Sequence, residues 1–255
     1  MNNWRLLNFS VDQASMNMAI DESIFRNFQD ESTLRFYSWK PSAVSIGKNQ
    51  ILEEEVDMDS IKNLGFDCVR RISGGGAVFH DEVGELTYSI VSNLQNFNIK
   101  TVEAVYYEIS KIVFQPLEKL GLKIDYGQIH CPSVFSDGKK ISGNAQARDG
   151  DTVLQHGTIL VNYRPEIMYT VLRARPGRTR ESMVQSVYQQ ITTLTDILEK
   201  KITPNDLAEY LISSLMKKED ALFQFTIGEL TSEEKKMALE LASTKYNSED
   251  WLYSR

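Results

Sequence analysis

Apolar residues recur at helical and strand periods along the chain, and these periods predict its main elements. Residues 11–28 carry apolar side chains near helical spacing, so we expect a helix there. The apolar stripe over 102–120 predicts the clearest helix, which Pro116 should kink or shorten and Gly121 should end. Strict alternation over 85–91 predicts a half-buried strand with one apolar face and one polar face.

Shorter elements fill the rest of the chain, with strands and helices mixed in its first two thirds. An acidic helix is predicted over 53–65, closed by Gly65. Further strands are predicted at 34–37, 43–46, 66–71, 140–148 and 152–162, and further helices at 194–200, 205–216 and 232–242. No repeat or linker divides the sequence. We therefore predict one α+β domain over 1–255, mainly helical from about residue 191.

Composition narrows the class of protein. The 255 residues carry a formal net charge of −7, which disfavours a general nucleic-acid binder. The two cysteines, Cys68 and Cys131, form no metal-type spacing and no disulfide framework. The N-terminus lacks a basic stretch followed by an apolar run, and no segment is apolar enough to span a bilayer. We expect a soluble cytoplasmic protein.

The most informative segment is RRISGGGAVFHD, residues 70–81. Three consecutive glycines expose backbone N–H groups and tolerate positive φ, so such a loop can wrap closely around an anionic or carbonyl group. The two preceding arginines can supply charge-assisted hydrogen bonds to a carboxylate or phosphate. A tight turn with surface arginines is the plain alternative, but His80 and Asp81 on the other side favour a ligand site.

A second segment, DGKKISGNAQ at 137–146, predicts a turn that places Lys140 at the start of a strand. A lysine in such a place is usually a solvated charge. The small residues Ser142, Gly143 and Ala145 favour a functional role, because they let a ligand approach the backbone. Lys140 would then neutralise negative charge developing on a carbonyl or phosphate.

Two other features remain open between structural and functional roles. His156 lies on a predicted strand in LQHGTIL, where a lone histidine is more often a hydrogen-bonded structural residue than a catalyst. The stretch 173–180 contains four arginines around Pro-Gly, typical either of a solvated surface loop or of a phosphate-binding lid. The candidate lid residues are Arg175, Arg178 and Arg180.

Taken together, RRISGGGAVFHD, KKISGNAQ and LQHGTIL resemble the motifs of the lipoate–protein ligase and octanoyltransferase superfamily, in their order and spacing. The resemblance extends to NMAIDE near the start, to LRFYSWKPSAVSIGKNQ, and to TKYNSEDW near the end. It therefore covers nearly the whole chain. It implies a mixed, largely antiparallel sheet flanked by helices, the catalytic fold shared with biotin–protein ligases.

The same resemblance implies a site. Lys140 would be catalytic and would face the activated carbonyl, while the arginine loop would cover the adenylate. We expect the substrates to be lipoate and ATP with Mg²⁺, although no metal ligands can be named. The residues expected to bind the acyl group or adenylate are Arg71, Ser73, Gly74, Gly75, Gly76, Ala77, His80, Gly143, Ala145 and His156.

The family contains two chemistries. The intact triple glycine, the GKNQ run and the GGGAVFHD form of the loop favour an ATP-dependent lipoate–protein ligase. Such an enzyme makes lipoyl-AMP and then lipoylates a lysine of an acceptor. Pro132-Ser133, where many ligases have Asn-Asp, counts against it. So does Cys131, which lies in the region of the nucleophile of cysteine-dependent octanoyltransferases, although buried cysteines also serve as small hydrophobes. We expect the ligase, with the octanoyltransferase as the alternative.

Partners follow from the same resemblance. The expected acceptor is a lipoyl domain of a 2-oxoacid dehydrogenase E2 or a glycine-cleavage H protein. A ligase of this length would also need a small accessory subunit. A non-catalytic lipoyl-domain-binding protein is a further alternative, disfavoured by the retained Lys140 and glycine loop. A biotin ligase is a weaker one.

Overall fold

The computed structural model describes residues 2–97, 101–127, 132–217 and 223–255. The strands are β1 Asn2–Leu7, β2 Ser10–Asp12, β3 Ser32–Trp39, β4 Ala43–Ile46, β5 Asp67–Arg70, β6 Val78–His80, β7 Glu85–Asn93, β8 Ile124–Tyr126, β9 Ser133–Ser136, β10 Lys139–Asp149, β11 Thr152–Leu160 and β12 Phe223–Gly228. The helices are α1 Ala14–Arg26, α2 Leu52–Glu55, α3 Met58–Leu64, α4 Val102–Glu118, α5 Pro165–Val171, α6 Arg180–Gln190, α7 Leu194–Leu198, α8 Pro204–Met216, α9 Ser232–Leu241 and α10 Glu249–Leu252.

Within the described ranges, a nine-stranded sheet runs in the order β12-β1-β3-β7-β11-β10-β9-β8, with β2 pairing to β3. The pairs from β3 to β8 along this path are antiparallel, whereas β1 pairs in parallel with both β3 and β12. A three-stranded sheet, β5-β4-β6, joins a parallel and an antiparallel pair. The predicted α+β class with a mixed, largely antiparallel sheet is confirmed.

Helices cover both faces of the large sheet. On one face α4 and α8 pack against an apolar cluster that includes Leu86, Tyr88 and Ile90 of β7. On the other face α1 and α9 pack against a second cluster, which includes Trp39 and Leu154. A smaller cluster holds the three-stranded sheet against α2, α3 and α5. None of the helices in the described part of the chain is long and apolar enough to cross a membrane.

The prediction that β7 is half-buried is wrong, because eight of its nine residues are buried. Its apolar face behaves as expected, but its polar face, with Glu85, Thr87 and Ser89, is covered by α1, Trp39 and His80 rather than by water. Buried polar groups need hydrogen-bond partners, and these three side chains find them in neighbouring residues of the pocket described below.

Other boundaries shift for local reasons. The predicted acidic helix 53–65 is two helices, because Val56 is extended and bridges to Leu172, and Asp57 then caps α3 by accepting from the Ser60 amide. Gly65 ends α3 in the left-handed conformation, as predicted. Helix α4 ends at Glu118, two residues before the predicted end, and Pro116 lies in its last turn.

The chain beyond residue 191 contains α7, α8 and α9, close to the three predicted helices, and also α10 and β12, which the sequence did not indicate. β12 pairs with β1 over six residues, from Asn2↔Phe223 to Leu7↔Gly228. The last residues return to the glycine loop, where the Arg70 guanidinium donates to the Trp251 and Leu252 carbonyls. The two ends of the sequence are therefore both built into the described fold.

Candidate active site

A cavity of about 470 Å³ opens between the glycine loop, strands β10 and β11, and the arginine-rich loop before α6. Many of the predicted site residues line it: Arg71, Gly74, Gly75, Gly76, Ala77, His80, Lys140, Gly143, Ala145, His156 and Arg175. Ser73 lies directly behind this wall, hydrogen-bonded to His156. Cys131 lies outside the described residues, but its chain neighbours Pro132 and Ser133 line the cavity. The structure therefore brings the three predicted motifs to one place.

The shape of the glycine loop comes from close backbone packing. A Cβ atom on Gly47 would lie 2.1 Å from the Gly75 carbonyl oxygen, so no side chain fits at Gly47. Gly75 adopts φ of 95°, which an L-residue with a side chain rarely adopts. The Lys48 amide donates to the Ser73 carbonyl at 2.9 Å. The GKNQ run, residues 47–50, thus packs against the glycine loop and supports its shape.

Arg71 holds the glycine loop through hydrogen bonds. Its buried guanidinium donates to the Gly74 and Gly76 carbonyls at 2.7 and 2.8 Å, to the Ser45 carbonyl at 3.0 Å, and to the Ser45 and Ser73 hydroxyls. These contacts engage all five N–H groups of the side chain. Burial lowers the pKa of Arg71 to about 10. Arg71 lines the cavity as expected, but its hydrogen bonds shape the loop.

The neighbouring Arg70 does not face the cavity. Its guanidinium donates to the carbonyls of Gly47, Lys48 and Gln50, besides those at the C-terminal end. The pair of arginines that the sequence offers to an anion is therefore used to fix protein backbone. This difference arises because adjacent residues of β5 and its extension point to opposite sides of the small sheet.

His156 belongs to a buried hydrogen-bonded chain. Its Nε2 lies 2.6 Å from the Ser73 hydroxyl and its Nδ1 lies 3.2 Å from Asp21 Oδ2. Burial opposes ionisation of Asp21, but hydrogen bonds from His156 and Ser89 and the charge of Arg35 outweigh it, so the Asp21 pKa is lowered. Burial also lowers the pKa of His156, which favours the neutral ring. Ser73 and Asp21 thus hold the neutral imidazole of His156 in one orientation.

His80 is held in the same manner. Its Nδ1 lies 2.7 Å from Glu85 Oε1 and its Nε2 lies 2.8 Å from the Ser45 hydroxyl. The ring stacks on Trp39 with a centroid separation of 3.9 Å. The Trp39 indole N–H donates to the Thr87 hydroxyl, which in turn donates to Glu85. The polar face of β7 therefore supports one wall of the cavity.

Lys140 lies where the β9–β10 hairpin is irregular. The predicted Asp-Gly turn is present, with positive φ at Asp137 and Gly138. The register of β10 against β9 shifts between Lys140 and Ser142, as a β-bulge does. The Lys140 ammonium lies over Gly143, where a Cβ atom would be 3.2 Å from Nζ. The bulge and the bare glycine together direct the lysine along the cavity wall.

Of the three candidate lid arginines, Arg175 alone is part of the described cavity wall. Arg180 begins α6 and donates to the Glu166 carbonyl and the Thr170 hydroxyl of α5. Arg178 is exposed in the turn between Arg175 and α6, and its amide donates to the Arg175 carbonyl. The stretch is therefore part loop and part helix start, with Thr179 and Ser182 forming the capping box of α6.

Sequence reasoning missed the apolar and aromatic part of the cavity. Met18, Tyr37, Trp39, Thr87 and Tyr106 line it, together with the expected residues. The available signal for Tyr37 and Trp39 was their alternation on β3, and for Thr87 a polar face on a strand rich in large apolar residues. Tyr106 carries no such signal, since it lies on the amphipathic helix α4. Among the described residues, no group of three or more His, Cys, Asp and Glu side chains could hold a metal ion.

Replacing Asp21 by alanine should destabilise the protein by about 3–5 kcal/mol, because the buried Arg35 would lose the carboxylate 3.1 Å away. The free energy of unfolding should be measured by denaturant titration, with the exposed Asp30→Ala variant as control. A loss no larger than that of the control would contradict the expectation. It would mean that the other hydrogen bonds of Arg35, to Asn17 and Ser10, suffice.

The pH dependence of this stability has a defined sign. Folding lowers the pKa of Asp21 and of His156 below their ordinary values of 3.8 and 6.5. When folding lowers the pKa of a group, the unfolded chain binds a proton at that group at a higher pH than the folded chain does. Lowering the pH therefore favours the unfolded chain, and the group's contribution to stability is lost. The free energy of unfolding should therefore decrease as pH falls below about 6.5, and again through the carboxylate range.

The fold places the chain among known catalytic domains. Residues 13–216 match the family model described as the lipoyl protein ligase A/B catalytic domain. The chain belongs to this family, and it is an enzyme of the lipoate ligase and transferase class. The resemblance identified from the three sequence motifs is confirmed.

Curated relatives match along their full length. Octanoyltransferase LipM of Moorella thermoacetica is 32% identical over 273 residues, covering 99% of this chain and 98% of the relative. The protein of the same name from Clostridioides difficile is 31% identical, and the match covers 98% of this chain and 98% of the relative. The one from Kyrpidia tusciae is also 31% identical, and the match covers the whole of each chain, 100%. All three relatives carry the name of an octanoyltransferase.

Solved structures share the fold. A chain from the bipartite lipoate protein ligase system of Thermoplasma acidophilum superposes with a TM-score of 0.86 at 30% identity, covering 99% of this chain and 97% of that one. Lipoate-protein ligase A bound with ATP gives a TM-score of 0.83 at 29% identity, covering 98% of both chains. Ligases and this chain therefore share one architecture.

The prediction of an ATP-dependent lipoate–protein ligase is wrong. The curated relatives at about 30% identity over the full chain are octanoyltransferases, which supports the alternative reading. The features that favoured the ligase were the triple glycine, the GGGAVFHD form of its loop, and the GKNQ run. In the structure these segments pack against each other and shape the loop.

Proposed function

We propose that this chain is a protein N-octanoyltransferase, which moves an octanoyl group from the thioester of an acyl carrier protein to a lysine of a lipoyl-domain acceptor. The observation that carries the proposal is the similarity to octanoyltransferases over at least 98% of both chains. The cavity supports it, since Met18, Tyr37, Trp39 and Val78 offer a linear acyl chain an apolar wall. The acceptor would be a lipoyl domain of the dehydrogenase E2 type or an H protein.

The proposed reaction has two steps, with Cys131 as nucleophile. The Cys131 thiol gives up its proton and its sulfur attacks the thioester carbonyl, the carbon–sulfur bond to the carrier breaks, and the carrier leaves as a thiol that takes up this proton. The neutral amine of the acceptor lysine then attacks the acyl-enzyme. An amide bond forms, the bond to Cys131 breaks, and the amine proton returns to the cysteine sulfur. No electrons are transferred and no phosphate is involved.

Two features of the described residues support these steps. Pro132 and Ser133, next to Cys131 in the chain, line the same cavity as Lys140. A lysine ammonium on that wall would stabilise the negative charge that develops on the carbonyl oxygen in both steps. The thioester supplies the energy of the reaction, so we expect it to need neither ATP nor Mg²⁺. The accessory subunit was expected only for a ligase and has no part in this proposal.

The acyl donor that the enzyme uses distinguishes octanoyl transfer from ATP-dependent ligation of lipoate. Purified chain should be incubated with a lipoyl-domain acceptor and, in parallel, an H protein, followed by mass spectrometry of each acceptor. One set of reactions contains octanoyl-carrier protein without ATP, and the other contains lipoate with Mg-ATP. We expect octanoylation in the first set alone. Modification in the second set alone would overturn the proposal, and no change in either acceptor would contradict the proposed acceptor class.

A further inference from the structure

The two histidines of the cavity have matching surroundings. In each case Nδ1 faces a buried carboxylate, Asp21 at 3.2 Å for His156 and Glu85 at 2.7 Å for His80. In each case Nε2 faces a buried serine hydroxyl, Ser73 at 2.6 Å and Ser45 at 2.8 Å respectively. The resemblance to a nucleophilic triad ends there, because Ser73 and Ser45 are 1% and 2% exposed. These serines are therefore placed to orient neighbours rather than to attack a substrate.

Both serines meet the same guanidinium. Arg71 Nε lies 3.1 Å from the Ser73 hydroxyl, and Nη1 lies 3.2 Å from the Ser45 hydroxyl. Since a guanidinium only donates, each hydroxyl oxygen accepts from Arg71 and keeps its own proton for another acceptor. The facing imidazole nitrogen is that acceptor if it carries no proton. Arg71 then directs Nη2 at the Gly74 and Gly76 carbonyls.

The carboxylates fix which imidazole nitrogen carries the proton. An ionised carboxylate only accepts, so Nδ1 must donate to it, and in a neutral ring Nε2 is left as an acceptor. A second proton on either ring would turn Nε2 into a donor, and the serine hydroxyl would lose the acceptor for its own proton. The titratable and charged groups around His156 are Asp21, Arg71 and His80, with Arg35 beyond Asp21. Those around His80 are Glu85 and, through Ser45, Arg71.

We propose that His80 and His156 are paired positioning residues: as neutral Nδ1–H tautomers they orient Ser45 and Ser73, which fix Arg71 and through it the glycine loop. The loop would then present a fixed wall to the acyl carbonyl. Only this last step rests on the proposed octanoyl transfer. The relay itself, from carboxylate to histidine to serine to arginine, stands on the contacts among these residues.

The tautomers give a test that needs no activity. The chain has three histidines, so nitrogen-15 NMR of the imidazole rings can be assigned from His80→Gln and His156→Gln spectra. We expect both cavity histidines to be neutral at pH 7.5, with the proton on Nδ1. A proton on Nε2 of either ring, or a charged ring, would overturn the relay, because the serine hydroxyl would then lack its acceptor.

Kinetics test the consequence for transfer. Ser73→Ala and His156→Gln, and likewise Ser45→Ala and His80→Gln, should each lower kcat about 10–100-fold while KM for the octanoyl-carrier stays within about threefold. Because each serine acts in series with its histidine, each double variant should be no slower than the slower single one. The buried Ser92→Ala variant, whose hydroxyl pairs with Ser32 instead, is the control and should keep its rate.

Fully multiplicative losses within a pair, or a rise in KM with kcat unchanged, would overturn the series relay. The failure of the proposed function would look different. A wild-type chain that does not accept octanoate from the carrier would remove octanoyl transfer, whereas the NMR tautomers would still decide the relay. Amide hydrogen exchange at 74–76 adds a second such readout, since exchange should be faster in Ser73→Ala than in the wild type.

Discussion

Cys131→Ser should lower the rate of octanoyl transfer by at least about 10³-fold, the largest effect expected of any single substitution in this chain. A serine hydroxyl at the same place is far less ionised than a thiol, so the acyl-enzyme should not accumulate. The measurement is single-turnover transfer from octanoyl-carrier protein, with mass spectrometry of the intact enzyme to detect a covalent octanoyl group. The wild type should show this adduct when the acceptor is omitted.

Cys68→Ser is the matched control, because Cys68 is the other cysteine of the chain. It lies on β5 among apolar neighbours, and burial raises the pKa of its thiol to about 12, so it is not a nucleophile at neutral pH. The control should form the adduct and transfer it at the wild-type rate. An adduct that survives Cys131→Ser, or one that disappears in Cys68→Ser, would contradict the assignment of the nucleophile.

Lys140→Ala should lower kcat by about 10²–10³-fold, the usual cost of removing one group that stabilises an oxyanion. The reason is local: Lys140 lies on the cavity wall, and its ammonium passes over Gly143, close to Pro132 and Ser133 in the lining. Since the charge acts on the carbonyl oxygen during attack, KM for the donor should change much less than kcat. Steady-state kinetics with octanoyl-carrier protein measure both quantities.

Lys139 provides the comparison. It is the adjacent lysine of the same hairpin, it is exposed, and it is not among the residues of the cavity wall. Lys139→Ala should therefore keep kcat within about twofold, as expected for a solvated surface charge. If both substitutions reduced kcat equally, the effect would come from the charge of the hairpin as a whole. A non-catalytic lipoyl-domain-binding protein would bind its acceptor equally well with either variant.

The sequence predicted the elements that depend on local periodicity. The stripe of α4, the strands β10 and β11, the Asp-Gly turn before Lys139 and the left-handed Gly65 all follow from neighbours within a few residues. Elements that lack such a pattern were missed. α6 is polar on most sides, and its start at Thr179 is fixed by a capping box. β12 is a strand because β1, more than two hundred residues earlier in the chain, offers it a pairing edge.

The choice of chemistry was the point at which sequence reasoning failed. The triple glycine and the GKNQ run suggested a nucleotide site, yet Gly47 is required by the Gly75 carbonyl and Arg71 is engaged by the loop itself. Motifs that build a shared fold cannot distinguish two reactions carried out on that fold. Relatives that match along their full length were needed to favour the transferase.

The sequence by itself determined the family, the class of fold and many of the residues that line the cavity, because these are written in short motifs whose order and spacing are specific. The tertiary structure alone decided what several of those residues do. Arg71 could have bound a ligand, but it hydrogen-bonds the loop. The polar face of β7 could have been exposed to water, but it contacts His80 and Asp21. Both outcomes depend on which distant segments of the chain pack over these residues. Burial and hydrogen-bond partners are properties of the packed chain, and no local pattern encodes them.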